Sequence, residues 1–305
     1  MSKNQIKIFT AKDWGDYEML DTGDGEKLER FGPYTFVRPF EDAVWPKTLS
    51  KKEWDGANGK FWSSKAGAKP GWTLDEDLRP KWHMTYGPAR NASGTADAGG
   101  DVKFWSAPTP FRHLSFFPEQ ESHWNFITEK ISNAGRPIKF LNLFGYTGVA
   151  SLCALSAGAS VTHVDASRQS LDLAKENEEL SKLEGMRVIE DDVMKFLDRE
   201  AKRGNKYDAV IMDPPKFGRG PKGETWKIED NLAGLLEKVR KVLSDDPLFV
   251  ILTSYAVESS SLSLGHALAS SMKGQGGETE QGELCIIEKS TGREISLANT
   301  AVWHK

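Results

Sequence analysis

The feature that most constrains the fold of this chain is an alternation of apolar strand-like runs and helical segments from about residue 119 onward. Runs such as IKFLNLF, VTHVDAS and YDAVIMDPP are each followed by a segment whose apolar residues recur at helical spacing. A strand–helix–strand succession of this kind builds a parallel, doubly wound sheet with helices on both faces. The sequence therefore predicts an α/β domain of this architecture.

The end of the chain departs from that alternation. Two β-prone runs, GELCIIEKS and EISLANTAVWHK, are joined by the short turn sequence TGR. This arrangement predicts a C-terminal antiparallel hairpin that completes the sheet.

The first 108 residues differ in character from the rest. They contain seven of the ten tryptophans and short β-prone runs such as YTFVRPF, KWHMTYG and VKFWSA, separated by turn signals such as TGDGE and KPGW. We therefore predict a small antiparallel β domain over residues 1–108 and the α/β domain over residues 109–305. Within the β domain, the run NASGTADAGG is predicted to be a mobile loop.

Composition limits the classes of function. The formal net charge is −4, so the whole molecule does not present a strong positive field, although the run KFGRGPKGETWK could form a local basic patch. The N-terminus lacks the apolar core of a secretory signal, and no apolar stretch is long enough to span a bilayer, which predicts a cytoplasmic protein. The only two cysteines, Cys153 and Cys285, indicate neither a disulfide framework nor a thiolate metal site, and we interpret both as small buried side chains.

The carboxyl ends of the predicted strands are the expected place for a ligand in a doubly wound sheet. After the first strand, the loop FGYTG has Gly145 and Gly148 where the chain must turn, and glycine permits positive φ and close approach of a ligand. The third glycine of the dinucleotide pattern GxGxxG is missing, and Phe144 precedes the first glycine. The loop therefore predicts a ligand site that is not typical of nicotinamide enzymes, and a turn without a ligand is the alternative.

Acidic residues end the next two strands. Asp165 can accept hydrogen bonds from both hydroxyls of a ribose, each worth roughly 1.5 to 3 kcal/mol. Alternatively it caps the following helix, although Ser167 can do this as well, and we prefer the ribose interpretation. Asp192 can accept a hydrogen bond from an adenine amino group, or it belongs to a solvated charge run, and both interpretations stay open.

The most specific motif is IMDPPKFGRG after the fourth strand of the series. Neither proline has an N–H to donate, so the strand cannot continue as a central ladder, and the carbonyls of Asp213 and Pro214 are left without ladder partners. These carbonyls and the Asp213 carboxylate can orient a planar amino-bearing group, and Phe217 can offer that group an aromatic face. The candidate catalytic residues are therefore Asp213, Pro214, Pro215 and Phe217.

Taken in order, FLNLFGYTG, THVDAS, EDDVMKFL and YDAVIMDPPKFG resemble the motifs of class I S-adenosylmethionine-dependent methyltransferases, which have a Rossmann-like sheet. The likeness is greatest to the branch of the 23S ribosomal RNA cytosine-C5 methyltransferases and their guanine-methylating relatives, and it covers roughly residues 108 to 305. The run FFPEQESHW is similar to a segment that these enzymes place over the cofactor. The N-terminal β domain does not resemble the PUA domain of some members. The resemblance implies an enzyme with S-adenosylmethionine as cofactor and RNA as substrate, and we expect no metal and no membrane partner.

The resemblance also assigns residues to the cofactor. The glycine loop would lie against its methionine part, Asp165 would hold the ribose, Asp192 the adenine, and the Asp-Pro-Pro turn would face the methyl group. Lys216 and Phe217 would belong to the substrate side. The complete set of candidate cofactor-binding residues is Phe117, Gln120, Phe144, Gly145, Thr147, Gly148, Asp165, Ser167, Asp192 and Asp213.

One stretch departs from the pattern of the cytosine-C5 enzymes. Their chemistry requires a thiolate that attacks C6 of the ring, and they carry it after the fifth strand. Here the matching run ILTSYAVES has Ser254 and Tyr255 and no cysteine, while Cys153 and Cys285 lie in other predicted elements. The departure puts C5 chemistry in doubt but not methylation of an intrinsically nucleophilic nitrogen, for which alignment alone can contribute as much as about 7 to 11 kcal/mol.

The first hypothesis is therefore a methyltransferase that acts on a base of RNA, with ribosomal RNA preferred. The alternatives are a methyltransferase of a small-molecule or protein acceptor, a non-catalytic binding protein with the same fold, and an oxidoreductase. Most tryptophans of the β domain are expected to fill its core, whereas Trp105 and Trp124 are expected to line the cleft. The acceptor base and the oligomeric state stay open.

Overall fold

The computed structural model describes residues 5–11, 14–63, 69–87, 101–255 and 260–305. The run NASGTADAGG, which is predicted to be a mobile loop, lies outside these residues. Within the described ranges, every helix is too short or too polar to cross a lipid bilayer.

The N-terminal region consists mainly of short strands. Its elements are β1 (Ile6–Ala11), β2 (Tyr17–Gly23), β3 (Glu26–Phe31), β4 (Tyr34–Pro39), α1 (Lys51–Asp55), β5 (Gly59–Trp62), β6 (Gly71–Leu74), β7 (Trp82–Tyr86) and β8 (Val102–Ser106). Five of them form a sheet of order β2-β3-β4-β5-β6, and β7 pairs with β8. These pairs are antiparallel as predicted except for β4 and β5, which are parallel because the connection through α1 carries the chain back.

The rest of the chain alternates strands and helices, as predicted. Its elements are α2 (Glu121–Ser132), β9 (Lys139–Leu143), α3 (Val149–Ser156), β10 (Ser160–Asp165), α4 (Arg168–Leu180), β11 (Arg187–Glu190), α5 (Val193–Arg203), β12 (Ala209–Met212), β13 (Phe217–Arg219), β14 (Thr225–Lys227), α6 (Ile228–Val242), β15 (Phe249–Ser254), α7 (Ser261–Ser271), β16 (Glu278–Ile287) and β17 (Glu294–His304). The short antiparallel pair β13 and β14 forms within the run KFGRGPKGETWK.

A sheet of eight strands has the order β1-β16-β17-β15-β12-β9-β10-β11. Its members β9 to β12 and β15 are parallel, and the predicted hairpin of β16 and β17 joins them with β17 antiparallel to β15. Starting from β9, the chain adds β10 and β11 on one side and then β12 and β15 on the other. The strand order therefore reverses between β9 and β12, where doubly wound sheets bind their ligands.

Consecutive residues of the central strands pack against different layers of helices. In β15, Phe249 and Ile251 belong to an apolar cluster with residues of α2, α3 and α4, whereas Val250 and Leu252 belong to a cluster with residues of α5, α6 and α7. Side chains along a strand alternate between the two faces of a sheet. Helices thus cover both faces, which confirms the doubly wound architecture.

The first strand does not follow the predicted division into two domains at residue 108. β1 pairs in parallel with β16 at the edge of the large sheet, with Ile6 opposite Gln281. Gly282 permits this close approach, because a Cβ atom there would lie 1.7 Å from the carbonyl oxygen of Lys7. The division at residue 108 otherwise stays a prediction.

Candidate functional site

A cavity of about 900 Å³ lies where the strand order reverses, at the carboxyl ends of β9 to β12 and β15. Its lining includes Asp165, Asp192 and Asp213, together with Phe144 of the glycine loop. The structure thus brings the acidic ends of three strands and the glycine turn to one crevice. A volume of this size is typical of sites for small molecules and cofactors.

The loop FGYTG has positive φ mainly at residues other than those predicted. Phe144 and Tyr146 have φ of 58° and 50°, and Gly148 has φ of 86° at the start of α3. Such values are uncommon for residues other than glycine, and they concentrate at functional sites where surrounding contacts hold them. Here the N–H of Tyr146 donates to the Asp165 carboxylate at 2.9 Å, which ties the loop to the end of β10.

Gly145 is required because of a close neighbour and not because of its backbone conformation. A Cβ atom there would lie 2.3 Å from Cε1 of His163, a buried residue of β10. The imidazole is fixed by the Ser151 hydroxyl at Nδ1 and by the Tyr146 carbonyl at Nε2. The group that comes close to Gly145 is therefore the His163 side chain, whereas the sequence analysis expected a ligand there.

Replacing Gly145 with alanine is expected to lower the free energy of unfolding by roughly 1 to 3 kcal/mol, the usual cost of overpacking a tight site. Gly234→Ala is a matched control, because Gly234 lies in α6 and a Cβ atom there would be 3.4 Å from its nearest neighbour. Chemical denaturation of both variants checks the prediction. Wild-type stability of Gly145→Ala would show that His163 moves aside at no cost.

Asp165 ends β10 and accepts hydrogen bonds from the backbone. Its carboxylate receives the N–H groups of Tyr146 at 2.9 Å and Ser167 at 2.8 Å. Ser167, which also lines the cavity, caps α4 by accepting from the N–H of Ser170, so the capping alternative for Asp165 does not hold. Burial raises the pKa of Asp165 above its usual range. The carboxylate is thus fixed at the cavity wall.

Asp192 lines the cavity and also has a structural role. Its carboxylate caps α5 by accepting from the N–H of Lys195 at 2.9 Å. Neither sequence interpretation of Asp192 included this cap, although Asp is among the preferred residues at that position of a helix. A contact of Asp192 with adenine stays a prediction.

Asp213 follows β12 and is half-buried at the cavity. Burial and the neighbouring carboxylate of Glu119 raise its pKa to about 8. Nε2 of Gln120 lies 3.4 Å from one of its oxygens. A carboxyl group that titrates near neutral pH can exchange a proton with a bound ligand.

The turn after Asp213 is held by Trp226 of β14. Its Nε1–H donates to the carbonyl of Pro215 at 2.6 Å, and its ring lies 5.1 Å from that of Phe144. Pro214 and Pro215 both line the cavity, whereas Phe217 is 62% exposed beside it. The ring of Phe217 is thus placed at the rim and not inside the crevice.

The remaining predicted residues differ in their position. Phe117 lines the cavity, and its ring lies 5.0 Å from that of Tyr255. Thr147 is buried, and its hydroxyl donates to the carbonyl of Ser115 at 2.6 Å. This hydrogen bond holds the loop FGYTG to the segment that contains Ser115. Contacts with a cofactor stay predictions for the residues that lie outside the lining, which are Gln120, Gly145, Thr147 and Gly148.

Two basic residues of the N-terminal sheet also line the cavity and were missed by the sequence analysis. Lys27 of β3 and Arg38 of β4 are largely buried, and both pair with the carboxylate of Glu29. Burial and the charge of Arg38 lower the pKa of Lys27. A signal existed in the run EKLERF, because Lys27 and Glu29 share a strand face with the apolar Phe31.

The expectation that Trp105 and Trp124 line the cleft is wrong. Trp124 is 2% exposed, and its ring contacts those of Tyr86 and Phe104 in an aromatic core that joins α2 to the N-terminal strands. Trp105 lies on β8 under the ammonium group of Lys81, 4.5 Å from the ring centroid. Helical spacing decided the orientation of Trp124, since it shares the buried face of α2 with other apolar residues.

Neither cysteine of the chain lines the cavity. Cys153 in α3 and Cys285 in β16 are both buried, as predicted, and burial raises the pKa of both thiols. Ser254, the last residue of β15, and Tyr255, which follows it, both line the cavity. In the part of the chain that the structure describes, no group of three or more His, Cys, Asp or Glu side chains is arranged to bind a metal ion.

Part of the chain matches known families in sequence. A family model described as Conserved hypothetical protein 95 matches residues 120–258, less than half of the chain. Ribosomal RNA large subunit methyltransferase I of Enterobacter sp. (strain 638) is 45% identical over 82 residues, which are 26% of this chain and 21% of the relative. The protein of the same name from Escherichia coli matches to the same extent. The chain thus aligns with about a fifth of the length of these curated relatives.

Solved structures extend the likeness to nearly the whole chain. A SAM-dependent methyltransferase from Agrobacterium tumefaciens has a TM-score of 0.88 and 38% sequence identity, and the match covers 98% of this chain and 93% of that one. A structure described as a SAM-dependent methyltransferase from Streptococcus mutans has a TM-score of 0.70 and 14% identity, covering 96% of this chain and 76% of that one. The second likeness shows a common fold alone, whereas the first extends to the sequence of both regions.

Proposed function

The chain belongs to the S-adenosylmethionine-dependent methyltransferases, and from this premise we propose that it methylates a base of RNA with S-adenosylmethionine as donor. The observation that carries the proposal is the convergence of Asp165, Asp192 and Asp213 with the loop FGYTG on one cavity. The cavity volume of about 900 Å³ suits a nucleoside cofactor together with a flipped base. Carboxylates at strand ends suit the hydroxyl and amino groups that such a cofactor presents.

Each part of the cofactor has a candidate partner in the chain. Asp165 would accept from the ribose hydroxyls, Asp192 from the adenine amino group, and the loop FGYTG with Phe144 would contact the methionine part. The positive φ values of Phe144 and Tyr146 fit a loop that is preorganised for a ligand.

Transfer of the methyl group requires little more than alignment of the acceptor nitrogen with the methyl carbon and the sulfur of the cofactor. S-adenosylmethionine supplies a methyl carbon that is electrophilic because it is bonded to a positively charged sulfur. Asp213 would accept a hydrogen bond from the acceptor nitrogen and take the proton that this nitrogen releases, since a pKa of about 8 allows both protonation states near neutral pH. Because Ser254 and Tyr255 offer no thiolate, we propose a nitrogen and not cytosine C5 as the acceptor atom.

Exposed aromatic residues that adjoin basic residues of the cavity lining favour RNA over a small-molecule acceptor. Phe111 and Phe217 are 71% and 62% exposed, and each is next in sequence to a basic residue of the lining, Arg112 and Lys216. Aromatic rings stack on unpaired bases and basic groups contact phosphates, which is how proteins commonly bind single-stranded RNA. The similarity to ribosomal RNA large subunit methyltransferase I makes ribosomal RNA the first acceptor to test, and a cytoplasmic location is consistent with it.

Mass spectrometry of nucleosides from ribosomal RNA tests the proposed acceptor. RNA from a strain that lacks the gene should miss one methylated base present in the parent strain, and expression of the wild-type chain should restore it. Unchanged methylated bases in the deletion strain would contradict the ribosomal RNA proposal. Small-molecule and protein acceptors would then be tested next.

A further inference from the structure

A chain of buried hydrogen bonds links the C-terminal hairpin to the cavity. The Thr300 hydroxyl in β17 lies 3.1 Å from Nε2 of His123 in α2, and Nδ1 of His123 lies 2.8 Å from Oε1 of Gln120. Nε2 of Gln120 in turn lies 3.1 Å from the Tyr255 hydroxyl and 3.4 Å from the Asp213 carboxylate. Thr300, His123 and Gln120 are 0%, 1% and 7% exposed, so the contacts among these three residues are shielded from solvent.

The chemistry of these groups determines where their protons lie. Above its pKa of about 8, Asp213 is an ionised carboxylate that only accepts, so Gln120 turns its NH₂ toward Asp213 and its oxygen toward His123. An amide oxygen also only accepts, so Nδ1 of His123 carries the proton. Burial lowers the pKa of His123 to about 3, so its ring is neutral and Nε2 is unprotonated. The Thr300 hydroxyl then donates to the unprotonated Nε2, with the Leu252 carbonyl as a second acceptor at the same distance of 3.1 Å.

We propose that Thr300 and His123 are positioning residues that hold the Gln120 amide in the one orientation that donates to the Asp213 carboxylate. Their importance for catalysis rests on the proposed function, in which Asp213 contacts the acceptor. If the amide rotated by half a turn, its oxygen would face the Asp213 carboxylate and repel it. The hairpin, which lies outside the alternating part of the fold, therefore supports the site through Thr300.

His163 offers an internal comparison with the opposite proton arrangement. It is also buried, and burial lowers its pKa to about 4. Its Nε2 lies 3.2 Å from the carbonyl oxygen of Tyr146, which only accepts, and its Nδ1 lies 2.9 Å from the Ser151 hydroxyl. The structure thus assigns the proton to Nδ1 in His123 and to Nε2 in His163.

Nitrogen-15 NMR of the histidine-labelled full chain measures both tautomers at about pH 9, above the pKa of Asp213. The expected result is a neutral His123 protonated on Nδ1 and a neutral His163 protonated on Nε2. A His123 ring protonated on Nε2 would overturn the proposal, because Gln120 would then turn its oxygen toward Asp213. The measurement needs no substrate, so its failure is distinct from failure of the methyltransferase proposal.

Two variants of His123 separate positioning from packing. Asparagine can place an NH₂ group near the position of Nδ1, so His123→Asn should keep the Gln120 orientation, whereas His123→Ala should lose it. Carbon-13 NMR titration of the Asp213 carboxyl group measures the difference. Loss of the donor should raise the pKa of Asp213 by about one unit in His123→Ala, and His123→Asn should retain the wild-type value.

The surroundings of Asp213 are otherwise the same in both variants. The titratable groups that interact with Asp213 are Glu119 and Tyr255, and neither variant changes them. His304→Ala is the control, because His304 packs against Phe126 of α2, 5.6 Å between ring centroids, and should leave the pKa of Asp213 unchanged. Equal Asp213 titrations in His123→Ala and His304→Ala would contradict the positioning role. Thr300→Val, compared with Thr300→Ser, repeats the test at the other end of the chain if His123→Ala does not fold.

Discussion

Replacement of Asp213 with asparagine is expected to lower the rate of methyl transfer at least about a hundredfold and to weaken cofactor binding much less. Asparagine keeps the size of the side chain, but it cannot take a proton from the acceptor nitrogen. Transfer of labelled methyl groups to RNA measures the rate, and isothermal titration calorimetry measures cofactor affinity. Asp198→Asn is the control, because Asp198 is an exposed carboxylate of α5 paired with Lys238. Equal losses of rate and affinity would make Asp213 a binding residue.

The raised pKa of Asp213 also predicts two opposite effects of pH. Turnover should increase as pH rises through about 8, because the ionised carboxylate is the form that accepts a proton. The free energy of unfolding should instead decrease as pH rises. The folded chain favours the neutral carboxyl, so this contribution is present at pH values below the unfolded pKa of about 4 and is lost as pH rises through the folded value of about 8. Thermal unfolding should therefore find Asp213→Asn equal to the wild type near pH 4 and more stable than it above pH 8.

Removal of the Asp165 carboxylate is expected to weaken binding of S-adenosylmethionine tenfold or more, since each lost charge-assisted hydrogen bond costs about 1.5 to 3 kcal/mol. The effect has two sources. Asp165→Ala would lose the bonds to ribose and would also release the N–H of Tyr146, which holds the loop FGYTG to β10. Equilibrium binding of the labelled cofactor measures the change.

Two controls make the Asp165 result specific. Asp172→Ala should bind like the wild type, because Asp172 is an exposed residue of α4 that pairs with Arg168. Excess NAD should not displace the labelled S-adenosylmethionine from the wild-type chain, whereas preference for NAD would indicate an oxidoreductase. Unchanged affinity of Asp165→Ala would exclude Asp165 from the site.

The alternating part of the fold could be predicted because its signals are local. Helical and strand periodicities lie within runs of ten to fifteen residues, and the carboxyl end of each parallel strand falls at the same edge of the sheet. The sequence alone therefore places Asp165, Asp192 and Asp213 at one crevice, as the structure does. The Asp-Pro-Pro motif located the end of β12 for the same reason.

What could not be predicted depends on pairs of residues far apart in sequence. β1 pairs with β16 because Gly282 leaves room for it. The sequence of neither strand predicts this pairing. Lys27 and Arg38 reach the cavity because the N-terminal sheet packs against the α/β region through an aromatic core. The same holds for Thr300, whose link to the site passes through His123 and Gln120.

The most direct test of the central claim is transfer of a labelled methyl group from S-adenosylmethionine to ribosomal RNA purified from a strain that lacks the gene. The proposal predicts that the wild-type chain labels one nucleoside on a base nitrogen, and that RNA from the parent strain, already methylated at that position, accepts almost no label. Absence of label in RNA from the deletion strain, with the cofactor bound, would contradict the account. Label at C5 of cytosine would contradict its assignment of the acceptor atom.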